Sequence, residues 1–289
     1  MQTSSGVTST VSLRTADGLT LRATHIPARP RREALVDGAE TAPAQVGGLV
    51  IVLAPGFSEW AQKPGVARAG AVLAEFGDVV QVDLRGHGRS EGYTTLADRE
   101  VLDVDAAIAY ARSMNSTAVV AMGFSMGGAT VLRQAALVGE PVHGHVVSAS
   151  PDALVSISTG TTWYIRDTKP MRRLHWLVLT RLGRRVAKRV FQVRVDPAGW
   201  DDAPLSPLEA VQRIRLPLLI VQGDSDAYLK VEHGYALHEA AADGELWVER
   251  GFGHAEEAAD PALLRRIGAA LPGLLARGQQ QGGRRAEVG

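Results

Sequence analysis

The sequence predicts an α/β fold, with a mostly parallel central sheet, helices on both faces and a helical insertion over one edge. Three observations lead there. Short apolar runs closed by Gly or Pro recur, as in "GLVIVLAPG" and "LPLLIVQGD", which is the pattern of strands covered on both faces. Segments with helical apolar spacing separate them, as parallel strands require for their crossovers. One long stretch, 152–206, breaks the alternation and reads as an insertion at the sheet edge where open α/β sheets keep their sites.

Taken in order, residues 7–17 and 19–28 alternate β-branched and polar residues around Asp17-Gly18, a hairpin signal. The polar segment "RPRREALVDGAETAPAQ" reads as a surface loop. A buried strand over 48–56 leads into a helix ending near Phe76, and "DVVQVDLRG" is a second buried strand. "LADREVLDVDAAIAYARSM" places Leu102, Ala106, Ala109 and Tyr110 at helical spacing. "AVVAMGFS" is a strand, "MGGATVLRQAALVG" a helix and "HGHVVSASP" a further strand. After the insertion, "LPLLIVQGD" and "ELWVERGF" are strands, while "HGYALHEAAAD" and "PALLRRIGAALPGLLARG" are helices. The expected organisation is a core of residues 1–151 and 207–278, an insertion over 152–206 and a flexible Gly, Gln and Arg-rich tail over 279–289.

Composition narrows the function. With 45% hydrophobic and 21% charged residues in 289, the chain can bury a large single core. Lys and Arg total 31, as do Asp and Glu, so no global field draws nucleic acid. The absence of cysteine excludes disulfides, a thiol nucleophile and thiolate metal sites. "MQTSSGVTST" lacks the layout of a signal peptide, and no apolar run approaches the roughly 18 residues of a membrane span. A cytoplasmic protein is expected.

The stretch "VVAMGFSMGGATVL" carries the chemistry. Gly123-Phe124-Ser125-Met126-Gly127 fits G-x-S-x-G between a strand and a helix. A serine at so sharp a turn has strained backbone angles, so the residues two positions away must lack a Cβ. Its hydroxyl is then exposed above a helix N-terminus, whose dipole, with the free N–H of Met126, suits a developing oxyanion. A serine nucleophile needs a base, and the base an orienting acid. His254 follows a strand in "VERGFGHAEE", and Asp224 and Asp226 follow the preceding strand in "LIVQGDSDAYLK". All three functions can therefore converge on one edge of the sheet, in the chain order Ser, Asp, His.

These features, with "LAPGF" after the first buried strand and "DLRGHGRS" after the second, resemble the α/β-hydrolase superfamily, near its serine-aminopeptidase, monoacylglycerol-lipase and esterase-like groups, over roughly residues 10–275. The resemblance implies an α/β-hydrolase fold with a helical lid over 152–206. It places the nucleophile on Ser125 and the base on His254. The family's acid stands three residues after the glycine that ends its strand, here Gly223, which favours Asp226. Asp224 is the rival, otherwise a turn cap, and Asp152 is a third candidate because some lipases of this fold carry the acid one strand earlier. The oxyanion hole falls on the backbone N–H groups of Phe57 and Met126, although Pro55-Gly56 stands where "HG" is common and so lacks a histidine to support that loop. His87 in "RGHGRS" is expected to be structural, with Asp83 and Arg85 tying its turn down. No cofactor is implied, and His143, His145, His175, His233 and His238 lie outside metal-ligand spacing.

Between Arg166 and Arg194 stand ten basic residues and one acid, Asp167. Met171, Leu174, Val178, Leu182, Val186 and Val190 recur every three or four residues, the pattern of an amphipathic helix with a cationic face. The plainer expectation is a lid helix with its basic side in water, paired with acidic surface; the sharper one is attraction of a lipid surface or an acidic carrier. Trp163, Tyr164 and Trp176 nearby suit a small-molecule acyl substrate. Ester hydrolysis is the leading expectation, ahead of thioester or peptide cleavage. A non-catalytic ligand-binding protein of the same fold is the alternative from another class.

Overall fold

A computed structural model describes residues 6–29 and 47–286. The expected surface loop over 29–45 lies, apart from its first residue, outside the described residues. The hairpin forms from β1 (Ser9–Arg14) and β2 (Thr20–Ile26), with Gly18 in the turn at a φ of +85° that a side chain would oppose. There follow β3 (Leu49–Ala54), α1 (Pro64–Leu73), β4 (Asp78–Val82), α2 (Glu100–Ser113), β5 (Ala118–Phe124) and α3 (Met126–Ala136). A small hairpin of β6 (Pro141–Val142) and β7 (His145–Val146) precedes β8 (Ala153–Ile157). The chain then runs through α4 (Lys169–Leu179), α5 (Arg181–Val190), α6 (Pro207–Arg213), β9 (Leu218–Gly223), α7 (Glu232–Ala240), β10 (Gly244–Glu249), α8 (Ala255–Ala258) and α9 (Pro261–Ala286).

Eight strands form one sheet in the order β1-β2-β4-β3-β5-β8-β9-β10, antiparallel at β1-β2-β4 and parallel from β4 onward. The apolar runs are continuous because both faces are covered. Ile51 and Leu53 of β3 pack with Leu73 of α1 and Ile267 of α9, whereas Val50 and Val52 pack on the other face with Ile108 of α2 and Leu132 of α3. Each such side chain, 2% exposed or less, contributes about 1.5–3 kcal/mol by leaving water. The order reverses around β3, so the loops after β3 and β5 open a crevice at the carboxyl edge.

Three expectations are corrected. The strand expected in "HGHVVSASP" is not part of the sheet: His145–Val146 pairs only with Pro141–Val142, and the sheet strand is Ala153–Ile157. The insertion therefore starts after this strand, later than 152. Ser156 hid it, a polar residue in a fully buried strand, satisfied by donating to Thr159 Oγ1 at 2.7 Å. The basic segment is two helices. Thr180, extended at φ −99° and ψ 149°, ends α4 and caps α5 by accepting the Gly183 N–H at 2.9 Å. Leu177 and Ala187 are buried, whereas Leu182 and Val190 of the expected apolar stripe are exposed. Finally, the segment expected as a tail from 279 continues α9 as far as Ala286, and 287–289 lie outside the described residues.

The turn of "DLRGHGRS" is tied down as expected. Arg85, 2% exposed, donates to Asp103 from its backbone N–H and from Nε and Nη2, and reaches Asp17 through Nη1 at 2.7 Å. One guanidinium thus joins the hairpin, the loop after β4 and α2. Arg85→Met leaves the Asp103 carboxylate buried without its counter-charge, and should cost about 3–5 kcal/mol in urea unfolding. A loss below 1 kcal/mol would show that this junction is not structural.

Candidate active site

Ser125 links β5 to α3 at φ 51° and ψ −114°, outside the conformations a serine ordinarily adopts. Such a geometry costs on the order of 1–3 kcal/mol and persists only where its surroundings impose it. Here they do. The Ser125 N–H donates to Ile157 O at 2.8 Å, and its carbonyl accepts the Ala129 N–H at 3.0 Å. A Cβ on Gly127 would stand 2.1 Å from Ala54 O, and one on Gly123 would stand 2.3 Å from Gly127 C. Both glycines of the motif are therefore fixed by contact, and Ser125 sits over the first turn of α3.

Two loops bring the other groups to the same edge. His254 follows β10 and points Nε2 at Ser125 Oγ, 3.0 Å away, and Nδ1 at Asp226 Oδ2, 2.7 Å away. Asp226 follows β9 with its carboxylate fully shielded, held by the N–H groups of Tyr228 at 2.8 Å and Leu229 at 2.9 Å. Asp224 faces water, where it accepts the Gly251 N–H at 2.7 Å, the turn-capping geometry. Asp152 precedes β8, at the opposite edge of the sheet, and binds the Val119 N–H at 2.7 Å and Arg112 at 2.8 Å. Of the three candidate acids, Asp226 meets the imidazole. Tyr228, which sequence reasoning did not single out, stacks on His254 with centroids 4.5 Å apart.

Gly56 and Phe57 follow β3 beside Ser125. Among the described residues, neither the Phe57 nor the Met126 N–H donates to an acceptor, so both remain free. The support expected from a histidine is supplied instead by Glu256, which the sequence did not reveal: its Oε1 accepts the Gly56 N–H at 2.5 Å in a fully buried position. Burial above all, with the neighbouring Glu59 and Glu257 charges and against the Gly56 hydrogen bond, pushes this carboxyl up to about 7. His87 lies under the same loop with its ring edge-on to Phe57 at 5.7 Å. It is fully buried, and burial pushes it down to about 4. It thus supports the loop as a neutral side chain.

Ser125 and His254 line a cavity of about 870 Å³. One wall comes from the core, through Phe57, Met126 and Tyr228, and the other from the inserted segment, through Leu174, Val178 and Val186. Trp163 and Trp200 meet edge to face at 5.5 Å in the same lining, and each indole N–H is satisfied by a carbonyl, Pro204 O and Thr95 O. Among the described residues, no group of three or more His, Asp or Glu side chains could hold a metal ion, and no helix is long and apolar enough to cross a membrane.

The protonated Glu256 is the form the fold prefers. Its stabilising contribution is present in full below the usual 4.5 and is lost as pH rises through about 7. Glu256→Gln keeps an acceptor for Gly56 without a charge. Relative to wild type, its urea midpoint should rise between pH 5 and pH 8; an unchanged difference would mean that Glu256 does not titrate there.

The comparisons with known proteins bear on the family and the fold. Residues 51–270 match the model of the alpha/beta hydrolase family. An esterase of Pyrococcus furiosus is similar over 95% of this chain and 92% of its own, with 21% identity and a TM-score of 0.66. A serine hydrolase without a lid from Xanthomonas campestris covers 96% and 97% at 19% identity, with a TM-score of 0.55. Est1E from Butyrivibrio proteoclasticus, solved with ferulic acid bound, covers 90% and 97% at 18% identity, with a TM-score of 0.56. No curated protein matches the sequence. The strand order, the serine turn and the family match together place this chain in the alpha/beta hydrolase family.

Proposed function

We propose that the protein is a serine hydrolase that cleaves a carboxylic ester of a small hydrophobic substrate through an acyl-enzyme. One observation carries the reading: the unbroken hydrogen-bonded chain from Ser125 Oγ through His254 to Asp226, opening on a cavity at its serine end. Ser125 Oγ attacks the ester carbonyl while His254 Nε2 accepts the hydroxyl proton. Asp226 accepts the Nδ1–H of His254, fixing the tautomer and stabilising the imidazolium. The carbonyl oxygen, now anionic, takes the N–H groups of Phe57 and Met126. Collapse expels the alcohol, which leaves with the proton from His254. Water, deprotonated by the same imidazole, then attacks the acyl-enzyme and frees the acid and Ser125.

The cavity supports a hydrophobic acyl substrate. Its volume lies in the range of small-molecule sites, and its lining is predominantly apolar and aromatic. In this reading α4 and α5 form a lid: they supply the wall opposite Ser125 and keep water from the reacting carbonyl.

p-Nitrophenyl esters of graded chain length, alongside a matched thioester, test the activity. Ser125→Ala should lower kcat/KM by about 10⁴-fold or more, with fold unchanged by circular dichroism. A variant that keeps its activity would remove the mechanism. Asp226→Asn should lower kcat by roughly 10³–10⁴-fold, because the amide favours the wrong imidazole tautomer. Asp224→Asn should stay within about threefold of wild type, since a solvent-exposed turn cap has no part in the transition state. The reverse ranking would assign the acid to Asp224.

A further inference from the structure

The inserted helices carry a charge imbalance that acyl transfer does not use. Residues 166–194 hold ten basic groups and one acidic, while the other 260 residues hold 21 basic and 30 acidic. Among the described residues, none of the ten forms an ion pair with a carboxylate. Asp167, the one acid within reach by sequence, is taken by Lys230 at 3.1 Å. The expectation that this basic side pairs with acidic surface elsewhere is therefore not met.

Apolar side chains are exposed among these cations. Trp176 is 46% exposed, Leu179 49%, Leu182 60% and Val190 65%. Helical spacing aligns Arg172, Trp176 and Leu179 on the outer side of α4, and Arg181, Arg185 and Lys188 on that of α5. The two helices are pressed together at Gly183, where a Cβ would stand 2.3 Å from Trp176 O, so the stripes stand on adjoining helices. Trp176 and Leu179, both exposed, also line the cavity that holds Ser125 and so form part of its mouth.

We propose that the α4–α5 face docks on an anionic lipid surface, with its cations at the headgroups and its exposed apolar side chains in the interface, turning the cavity mouth toward the lipid. Charge complementarity selects the partner's sign, and the interleaved apolar groups select its kind. A nucleic acid or an acidic protein would engage the arginines but leave Trp176, Leu179 and Leu182 in water. A bilayer interface accepts both. The acidic remainder of the molecule is repelled by the same surface, which orients the approach. The inference rests on this face and not on the acyl-transfer reading, so the two can fail separately.

The test uses the full-length chain carrying Ser125→Ala, so that no lipid is turned over, in co-sedimentation with vesicles. Vesicles of equal parts phosphatidylcholine and phosphatidylglycerol should bind it, and phosphatidylcholine alone should not. Each surface cation is worth roughly fivefold in partitioning, so Arg172→Gln, Arg185→Gln, Lys188→Gln and Arg189→Gln combined should weaken binding by about a hundredfold or more. In a wild-type background these four changes should leave hydrolysis of a soluble short-chain ester unaltered, which also reports that the variant is folded. Trp176→Ala should weaken binding about tenfold, and high salt should release the protein. Failure to bind the anionic vesicles, or equal binding to both kinds, would overturn the proposal. So would complete competition by soluble polyglutamate together with indifference to Trp176→Ala, which would assign the face to an acidic polypeptide.

Discussion

The contact on which the site depends is the one between Gly127 and the end of β3. With a Cβ position 2.1 Å from Ala54 O, the helix after the serine can approach the sheet only where residue 127 has no side chain. That approach bends the chain so sharply that Ser125 takes a positive φ. It also brings Met126 and Phe57, from two neighbouring strand ends, into the lining of the cavity that holds Ser125. Strain at one residue is balanced by packing around it, and the sheet's carboxyl edge supplies the imidazole and carboxylate from two further loops. The reactive arrangement is thus a property of parallel strand order as much as of any side chain.

Much of this was legible in the sequence, for physical reasons. Strands buried on both faces must be continuously apolar, so Leu49–Ala54, Ala118–Phe124 and Leu218–Gly223 could be read directly. The glycines around Ser125 declared a turn that nothing else would require. Asp226 was separable from Asp224 only through a family resemblance, because both occupy one loop; in the fold they differ in burial and in hydrogen-bond partner. What stayed hidden depended on tertiary contact. Ala153–Ile157 lost its strand signature to a serine whose hydroxyl is satisfied by Thr159. Glu256, in "HAEE", looks like an ordinary acidic helix start, and only the fold turns its side chain inward to Gly56. The single basic helix became two because Thr180 could cap as well as continue.

Two opposed electrostatic choices surround the cavity. Near the proposed oxyanion position the chain places Glu256 and half-buried Glu59, each with its carboxyl raised chiefly by burial. The uncharged form of Glu256 holds the loop without opposing negative charge on a neighbouring oxygen. On the far side the insertion places arginines that have no carboxylate partner among the described residues, beside exposed apolar groups. Glu256 follows His254, Glu59 stands in the loop after β3 and the arginines follow β8, all outside the apolar strand runs.

In the proposed reaction Ser125 presents its hydroxyl to a carbonyl whose oxygen is received by two backbone N–H groups. That reaction is tested most directly by a crystal structure of the protein after treatment with an alkyl fluorophosphonate. The expected adduct has phosphorus bonded to Ser125 Oγ, with the phosphonyl oxygen about 2.7–3.1 Å from the Phe57 and Met126 nitrogens and the alkyl group in the cavity beneath α4 and α5. An unreacted Ser125, or an adduct whose phosphonyl oxygen points away from both nitrogens, would contradict the proposed reaction.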